Sequence, residues 1–554
     1  MEEQRHDRAV RGRRIAAVVL VVMVGLSAVG WTVSRDRSSP ASSDAPTPKP
    51  SRTPTAPPEP AGWVPTADES AKAKALADDL SLAELAGQLI VARSLSEEAS
   101  LALVRDKHFA GVMVTSPQIL DVTTDDPLSQ VKAFNRRLHE AGDERGVPVM
   151  VPIDQEGGLV ARLAEPLTTF PTFMSAGSAI AGDPRIGARA VTGAARASGA
   201  ELRAAGYNTV FAPSGDITVG PADPIIGSRS AGADPEIVAR AVVAAVDGYS
   251  EAGIISAVKH FPGHNVDEDS HRGLPVLASD RDRLRRHDLR PFEAAIERSA
   301  PGIMTGHLEV PAIDKGVPAS LSSKVVTKGL RRNLGHEGLI VSDSLGMGPI
   351  MSRHPGGDAA VEALKAGSDL ALMPADNDKA YDAVLDALES GEIPERQARE
   401  SATRVIAYLL HSDGSKRLPG APGSHVKEAE ALSSAALTVV AAPCPVQKVR
   451  AVRPTGPGKA VASFRAAAED EGLSLGSGPS LAFTGPGTGG AVADIVVSTD
   501  TPYALAQSTA ATKIALYGDG VPAMRALVKR LMGEGRAPGD LPIKGTGLKK
   551  VKAC

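Results

Sequence analysis

The sequence predicts an α/β chain. A large domain of repeated βα units comes first, and a smaller, sandwich-like α/β domain comes second. Three observations predict it. Short apolar runs alternate with amphipathic stretches of helical length from about residue 67 to residue 412. Polar or charged residues come after five of those runs at the same end. A turn-rich connector then leads into a second, shorter set of strand-like runs. Alternation alone fits either a barrel or a doubly wound sheet. Reactive groups at the C-terminal ends of several strands are what the active site of a TIM-like (β/α)8 barrel needs.

At 554 residues the chain exceeds one ordinary core, so two domains plus extensions are expected. Residues 1–14 are basic, with Arg5, Arg8, Arg11, Arg13 and Arg14, and residues 15–33 carry no charge. That apolar stretch is just long enough to span hydrocarbon, and the basic flank sets its N-terminus in the cytoplasm. It reads as a signal-anchor, or as a signal peptide with a small-residue site at Ala28-Val29-Gly30. Residues 34–66 are rich in Pro, Ser and Thr, the composition of a disordered spacer that lifts the large α/β domain away from a membrane.

The catalytic candidate is residues 67–412. Strand-like runs fall at 109–114, 147–153, 207–212, 253–258, 302–304, 338–341 and 369–373, seven in all, with an eighth not evident. Between them, 128–140, 187–205 and 235–251 read as amphipathic helices. Asp154 ends the second run and Asp216 comes after the third. Lys259 and His260 end the fourth, His307 comes after the fifth, and Asp343 ends the sixth. One acid at such a position is ordinarily a helix cap, but five reactive positions in series point to a site.

Residues 413–428 form the connector, and 429–554 a C-terminal α/β domain. Its strands are expected at 437–441, 493–498 and 513–517, and a helix at 521–532. The glycine-rich stretch 485–490 lacks the lysine and the strand-to-helix context of a phosphate loop, so it reads as a loop. The two cysteines, Cys444 and Cys554, lack metal-site spacing. In an exported chain they are expected to form a disulfide that ties down the terminus; otherwise they are two free thiols. A formal net charge of -4 gives no reason to expect a nucleic-acid partner. Aromatic residues make up only 3% of the chain, so hydrogen bonds rather than ring stacking would have to carry ligand recognition.

The stretch from Lys259 to Pro275 holds three of the chain's 12 histidines within a single loop. Asp269 and His271 lie two apart and so face one side of an extended loop. A carboxylate beside an imidazole fixes its tautomer and stabilises its protonated form, which suits a proton donor that later acts as a base. His260 and His264 have the spacing of a zinc-binding helix, but Pro262 and Gly263 break that helix, so no metal and no other cofactor are expected. A polar loop with structural histidines is the plainer alternative. The others are an N-cap role for Asp343, a turn-capping role for Asp154, and surface ion pairs for Arg162 and Arg229.

Lys259-His260-Phe261-Pro262-Gly263-His264 and then Asp269-Ser270-His271 resemble the signature of glycoside hydrolase family 3, in its β-N-acetylglucosaminidase branch. The resemblance extends from Leu80 through the barrel region. It includes Ser342-Asp343-Ser344-Leu345 with Met347, Asp154-Gln155-Glu156-Gly157-Gly158 with Arg162, and Ile226-Gly227-Ser228-Arg229-Ser230. It implies Asp343 as nucleophile, His271 as acid/base and Asp269 as its partner. It also implies Asp154, Arg162, Arg229, Lys259, His260 and Met347 as substrate-binding residues. The implied substrate is a glycan with terminal β-linked N-acetylglucosamine, and the implied activity a retaining exo-glycosidase acting on cell-wall or chitin-derived saccharides. A β-glucosidase, an N-acetylglucosaminide phosphorylase, or an inactive surface glycan-binding protein are the rival readings. Two positions depart from the family pattern: Leu159, where arginine is frequent, and Asn265, where glycine is usual. The C-terminal segment resembles the accessory domain of two-domain members mainly by position.

Overall fold

The computed structural model describes residues 63–114, 126–163, 165–223, 225–443, 448–487 and 490–551. The basic N-terminus, the apolar segment 15–33 and all but the end of the spacer lie outside the described residues. So do Cys444 and Cys554 with their expected disulfide. No helix among the described residues is long and apolar enough to cross a membrane.

The chain enters the fold through two capping boxes. Thr66 pairs with Glu69 ahead of the helix Ala67–Asp79, and Ser81 pairs with Glu84 ahead of Leu82–Gln88. Eight strands make up the ring of the first domain: β1 (Ile90–Arg93), β2 (Gly111–Met113), β3 (Pro152–Ile153), β4 (Thr209–Val210), β5 (Ile255–Phe261), β6 (Gly302–Thr305), β7 (Leu339–Ser342) and β8 (Ala371–Leu372). Hydrogen bonds order them as β8-β1-β2 and β7-β6-β5-β4-β3, every pair parallel. Parallel bridges Gly111–Met150 and Val341–Leu370 join the two arcs into a ring. The ring is a TIM-like (β/α)8 barrel.

The strand not evident in the sequence is β1. The helix Leu82–Gln88 runs into it with a single intervening residue, Leu89, so the apolar run reads as more of the same helix. The outer helices have plain signals. Asp183-Pro184 and Asp234-Pro235 each place a capping carboxylate before a proline in the first turn, starting the helices Pro184–Ala204 and Pro235–Glu251. Inside the ring, Val91, Met113, Met150, Phe211, Ile255, Ala257, Met304, Leu339, Val341 and Leu372 form one apolar plug. Val405, Tyr408 and Leu409 of the helix Glu395–Gly414 join it. The opposite faces of the strands, with Ile90, Val112, Ile153, Val258, Ile303 and Ile340, pack outward in the larger core.

The C-terminal sheet has five strands: β9 (Thr438–Ala441), β10 (Ala451–Thr455), β11 (Ser474–Thr484), β12 (Ile495–Ser498) and β13 (Thr512–Ala515). Their order is β9-β13-β12-β11-β10, parallel except for the β9–β13 pair. The helices Gly458–Glu471 and Val521–Met532 bury Phe464 and Leu527 in its core. The described part of the glycine-rich stretch, 485–487 and 490, is irregular backbone between β11 and β12. Barrel and C-terminal sheet belong to one compact unit, Glu59–Cys554. The helix Val426–Ala436 joins them, packing on Met174–Gly182 and Pro184–Ala204.

Candidate active site

Side chains alternate faces along a strand, so every second residue points into the barrel. Met150 and Pro152 set that row on β3, and Asp154 continues it. Ile255 and Ala257 lead to Lys259 on β5, and Leu339 and Val341 lead to Asp343 after β7. Three charged groups therefore arrive above the apolar plug at the C-terminal mouth. With Glu156, Arg162, Arg229, His260, His264, Ser270 and His271 they line one cavity of about 170 Å3, whose apolar wall is Val160, Ile225 and Ile226.

Half of this cavity is a charge network. The Lys259 ammonium sits 2.6 Å from Asp154 and 2.8 Å from Glu156. Arg229 donates to both oxygens of Glu156, at 2.9 and 2.8 Å. Burial alone would raise the Glu156 carboxyl, but Arg229 and Lys259 outweigh it and hold the group well below the ordinary carboxylate range. Burial alone would lower the Lys259 ammonium, but Asp154 and Glu156 keep it raised and charged. Arg162 stands apart: its side chain is 50% exposed and reaches only within 4.0 Å of Asp154.

His260 is fixed by Asp216, which is fully buried. Asp216 accepts from the His260 backbone N–H at 3.0 Å, from the His264 N–H at 2.7 Å, and contacts His260 Nδ1 at 2.7 Å. That leaves His260 Nε2 for the cavity. Asp343 accepts a hydrogen bond from the Ser344 N–H at 2.7 Å, with no helix until Gly348–Met351, so it is not a helix cap. Burial works to raise its carboxyl, but His260, His307, the Ser344 N–H and Lys259 prevail and hold it ionised.

Across the cavity, the Asp269 carboxylate lies 2.9 Å from His271 Nδ1 and accepts the His271 backbone N–H at 2.9 Å. The pair has the expected geometry, with His271 Nε2 left to face a ligand. The cavity thus holds a carboxylate, Asp343, and an imidazole, His271, the kinds of group that serve as nucleophile and as proton carrier.

Not every expected residue lines the cavity. Met347 is 9% exposed, starts the short helix Gly348–Met351 and is not in the lining. His307 is a support: its ring contacts the Ser320 hydroxyl at 2.7 Å and the Ser344 carbonyl at 2.9 Å, beside Asp343. Asn265 accepts from the Ile217 N–H and donates to Asp288, both at 2.7 Å, so this departure from glycine clamps the loop rather than facing a ligand. Leu159 is 60% exposed at the tip of the hairpin Gln155–Gly157/Val160–Ala161. Sequence reasoning singled out neither Glu156 nor the supporting role of Asp216. The signal for Glu156 was present: a second acid two residues after Asp154, just before a diglycine. A more apolar cavity behind the same hairpin, lined by Phe170, Val191 and Tyr249, contains none of Asp343, His271 or Asp269.

The model of the glycosyl hydrolase family 3 N-terminal domain matches residues 81–408. β-Hexosaminidase A of Pseudoalteromonas piscicida is 38% identical over 344 residues, which span 56% of this chain and 57% of that protein. The match thus spans little more than half of that relative. β-Hexosaminidase LpqI of Mycobacterium tuberculosis is 32% identical over 350 residues, 61% of this chain and 85% of that protein. Among solved structures, the family 3 β-N-acetylglucosaminidase of Paenibacillus sp. FPU-7 superposes with a TM-score of 0.74 at 29% identity, covering 84% of this chain and 99% of that one. The match to the N-terminal domain takes in Asp154, Lys259, His271 and Asp343, and the structural likeness covers a larger share of the chain than those residues 81–408. By both the sequence match and the barrel it covers, the chain belongs to glycoside hydrolase family 3.

Proposed function

We propose that the protein is a retaining, exo-acting β-N-acetylglucosaminidase that removes terminal β-linked N-acetylglucosamine from cell-wall or chitin-derived saccharides. The observation that carries this reading is the convergence of Asp343, His271 and the Asp154–Lys259–Glu156–Arg229 network on one cavity. Asp154, Arg162, Arg229, Lys259 and His260 present donors and acceptors that suit the hydroxyls of one sugar ring and hold it for attack. Asp343 attacks the anomeric carbon while protonated His271 donates to the departing oxygen. A glycosyl ester forms on Asp343. Neutral His271 then takes a proton from water, which attacks the same carbon and frees the carboxylate. Asp269, 2.9 Å from His271 Nδ1, orients the imidazole for both steps. The names of the β-hexosaminidase relatives support the sugar assignment. The basic and apolar N-terminal residues support action outside the cell membrane, anchored or released.

Hydrolysis of 4-nitrophenyl N-acetyl-β-glucosaminide, compared with the β-glucoside, tests this reading. Preferred turnover of the N-acetylglucosaminide is expected. Preference for the glucoside, or sugar 1-phosphate released only when phosphate is present, would replace it with a neighbouring activity. Sugar binding without turnover of either would make the protein a glycan-binding one.

A further inference from the structure

Among the described residues the C-terminal sheet contributes none to the cavity lining, yet it touches the parts of the barrel that carry the proposed sugar-binding charges. Arg229 stands on a short turn, Gly227–Arg229, with little helical content to fix it. On the cavity side, the turn is tied through Arg229 to Glu156. On its other side, the Ser228 hydroxyl donates to the Asp500 carboxylate, just past β12. The Thr501 methyl lies 3.9 Å from where a side chain on Gly227 would begin. Asp223 accepts from the Ile226 N–H at 2.8 Å, and the Tyr503 phenol rests beside Asp223 and Thr218. Past the turn, the Ala233 N–H donates to the Pro542 carbonyl at 2.8 Å.

The hairpin that carries Glu156, directly after Asp154, is backed in the same way. A side chain on Gly157 would meet the Pro171 carbonyl at 2.6 Å, so the hairpin lies flat on the segment 170–172. That segment in turn gives the Thr172 N–H to the Tyr517 carbonyl at 2.8 Å. By contrast, among the described residues the hydrogen-bond partners of Asp343 and His271 (Thr305, Ser344 and Asp269) come from the barrel.

We propose that the C-terminal sheet is a positioning element of the sugar subsite, acting on Arg229 through the Ser228–Asp500 contact, with Asp500 as its positioning residue. The proposal rests on the sugar-binding role of Arg229 in the proposed function. A loop that misplaces a charged donor weakens sugar binding while leaving the proton-transfer groups untouched.

The test compares the full-length protein with Asp500→Ala, Asp500→Asn and Ser228→Ala. For Asp500→Ala, KM for 4-nitrophenyl N-acetyl-β-glucosaminide is expected to rise about tenfold, the size of one lost hydrogen bond to a charged group. Ser228→Ala, which removes the other partner, should raise KM in the same direction. The shape of the kcat–pH profile should stay that of the parent, and Asp500→Asn, which keeps an acceptor, should recover most of the KM. Amide hydrogen exchange read without any sugar should quicken at residues 225–230 and stay unchanged at 269–273. A folded Asp500→Ala protein with parental KM would overturn the proposal, as would unchanged exchange at 225–230. If the parent fails to turn over the glycoside, the functional reading fails, and the exchange measurement alone decides whether Asp500 holds the arginine turn.

Discussion

The two halves of the cavity are built by opposite physical strategies. On the side proposed to bind the sugar, the Lys259 and Glu156 side chains are 3% and 2% exposed and satisfy each other's charges with Asp154 and Arg229. On the side proposed to transfer protons, the His271 side chain is 61% exposed and leans on the Asp269 carboxylate in a loop. A buried network of this kind is costly to open and holds its geometry before any ligand arrives. An exposed imidazole keeps ready exchange with water, which suits the proposed change from acid to base between two steps. In the proposed function, recognition is preorganised, while proton transfer is assembled on a surface loop. Loss of a network residue should therefore damage fold and binding together, and loss of a loop residue should damage turnover alone.

The largest effect is expected where both halves meet. Asp343→Ala should lower kcat/KM for the N-acetylglucosaminide on the order of 10^4-fold or more, because it removes the proposed nucleophile itself. His271→Ala should cost about 10^2- to 10^4-fold in kcat. Its stability should stay within about 0.5 kcal/mol of the parent, as for other exposed positions, and a thermal melt checks this. A large loss of stability in His271→Ala would break the comparison.

Glu156→Gln should behave in the opposite way. Removing the carboxylate leaves Lys259 and Arg229 buried with too little countercharge, so about 3–5 kcal/mol of stability should be lost and KM should rise. Acid should reveal the same dependence. Because Arg229 and Lys259 overcome burial and depress the Glu156 carboxyl, the folded protein binds fewer protons there than the unfolded chain does. That stabilisation is complete above the unfolded value of about 4.3 and fades as the pH falls below it toward the lower folded value. Melts at decreasing pH should show a shallower acid loss in Glu156→Gln than in the parent. The smallest effect is expected for Arg162→Ala. This arginine is half exposed and loosely paired, so stability should change by at most about 1 kcal/mol, with a modest rise in KM.

Much of this design was legible in the sequence because alternation carries it. Asp154, Lys259 and Asp343 each continue an inward-facing row of apolar residues, and that pattern is local. The Asp269–His271 pair was legible for the same reason, both groups lying within one short loop. What escaped were features that depend on distant partners. Glu156 matters because Arg229 and Lys259 converge on it from far along the chain, 73 residues away in the case of Arg229. Asp216 matters because it holds His260 and His264, which no spacing rule reveals. β1 was hidden because an apolar strand directly succeeds an apolar helix, and Met347 fits a motif whose backbone, rather than its side chain, shapes the loop. The contact between Asp500 and Ser228 spans two domains and has no local signature at all.

The most direct test of the central claim is to trap the intermediate. A slow mechanism-based substrate, a 5-fluoro derivative of an N-acetylglucosaminyl fluoride, would be incubated with the protein, and the peptides examined by mass spectrometry. One sugar adduct is predicted on the peptide containing Asp343, absent from Asp343→Ala. An adduct on a different carboxylate, or a sugar product released with inverted anomeric configuration, would contradict Asp343 as the nucleophile of a retaining enzyme.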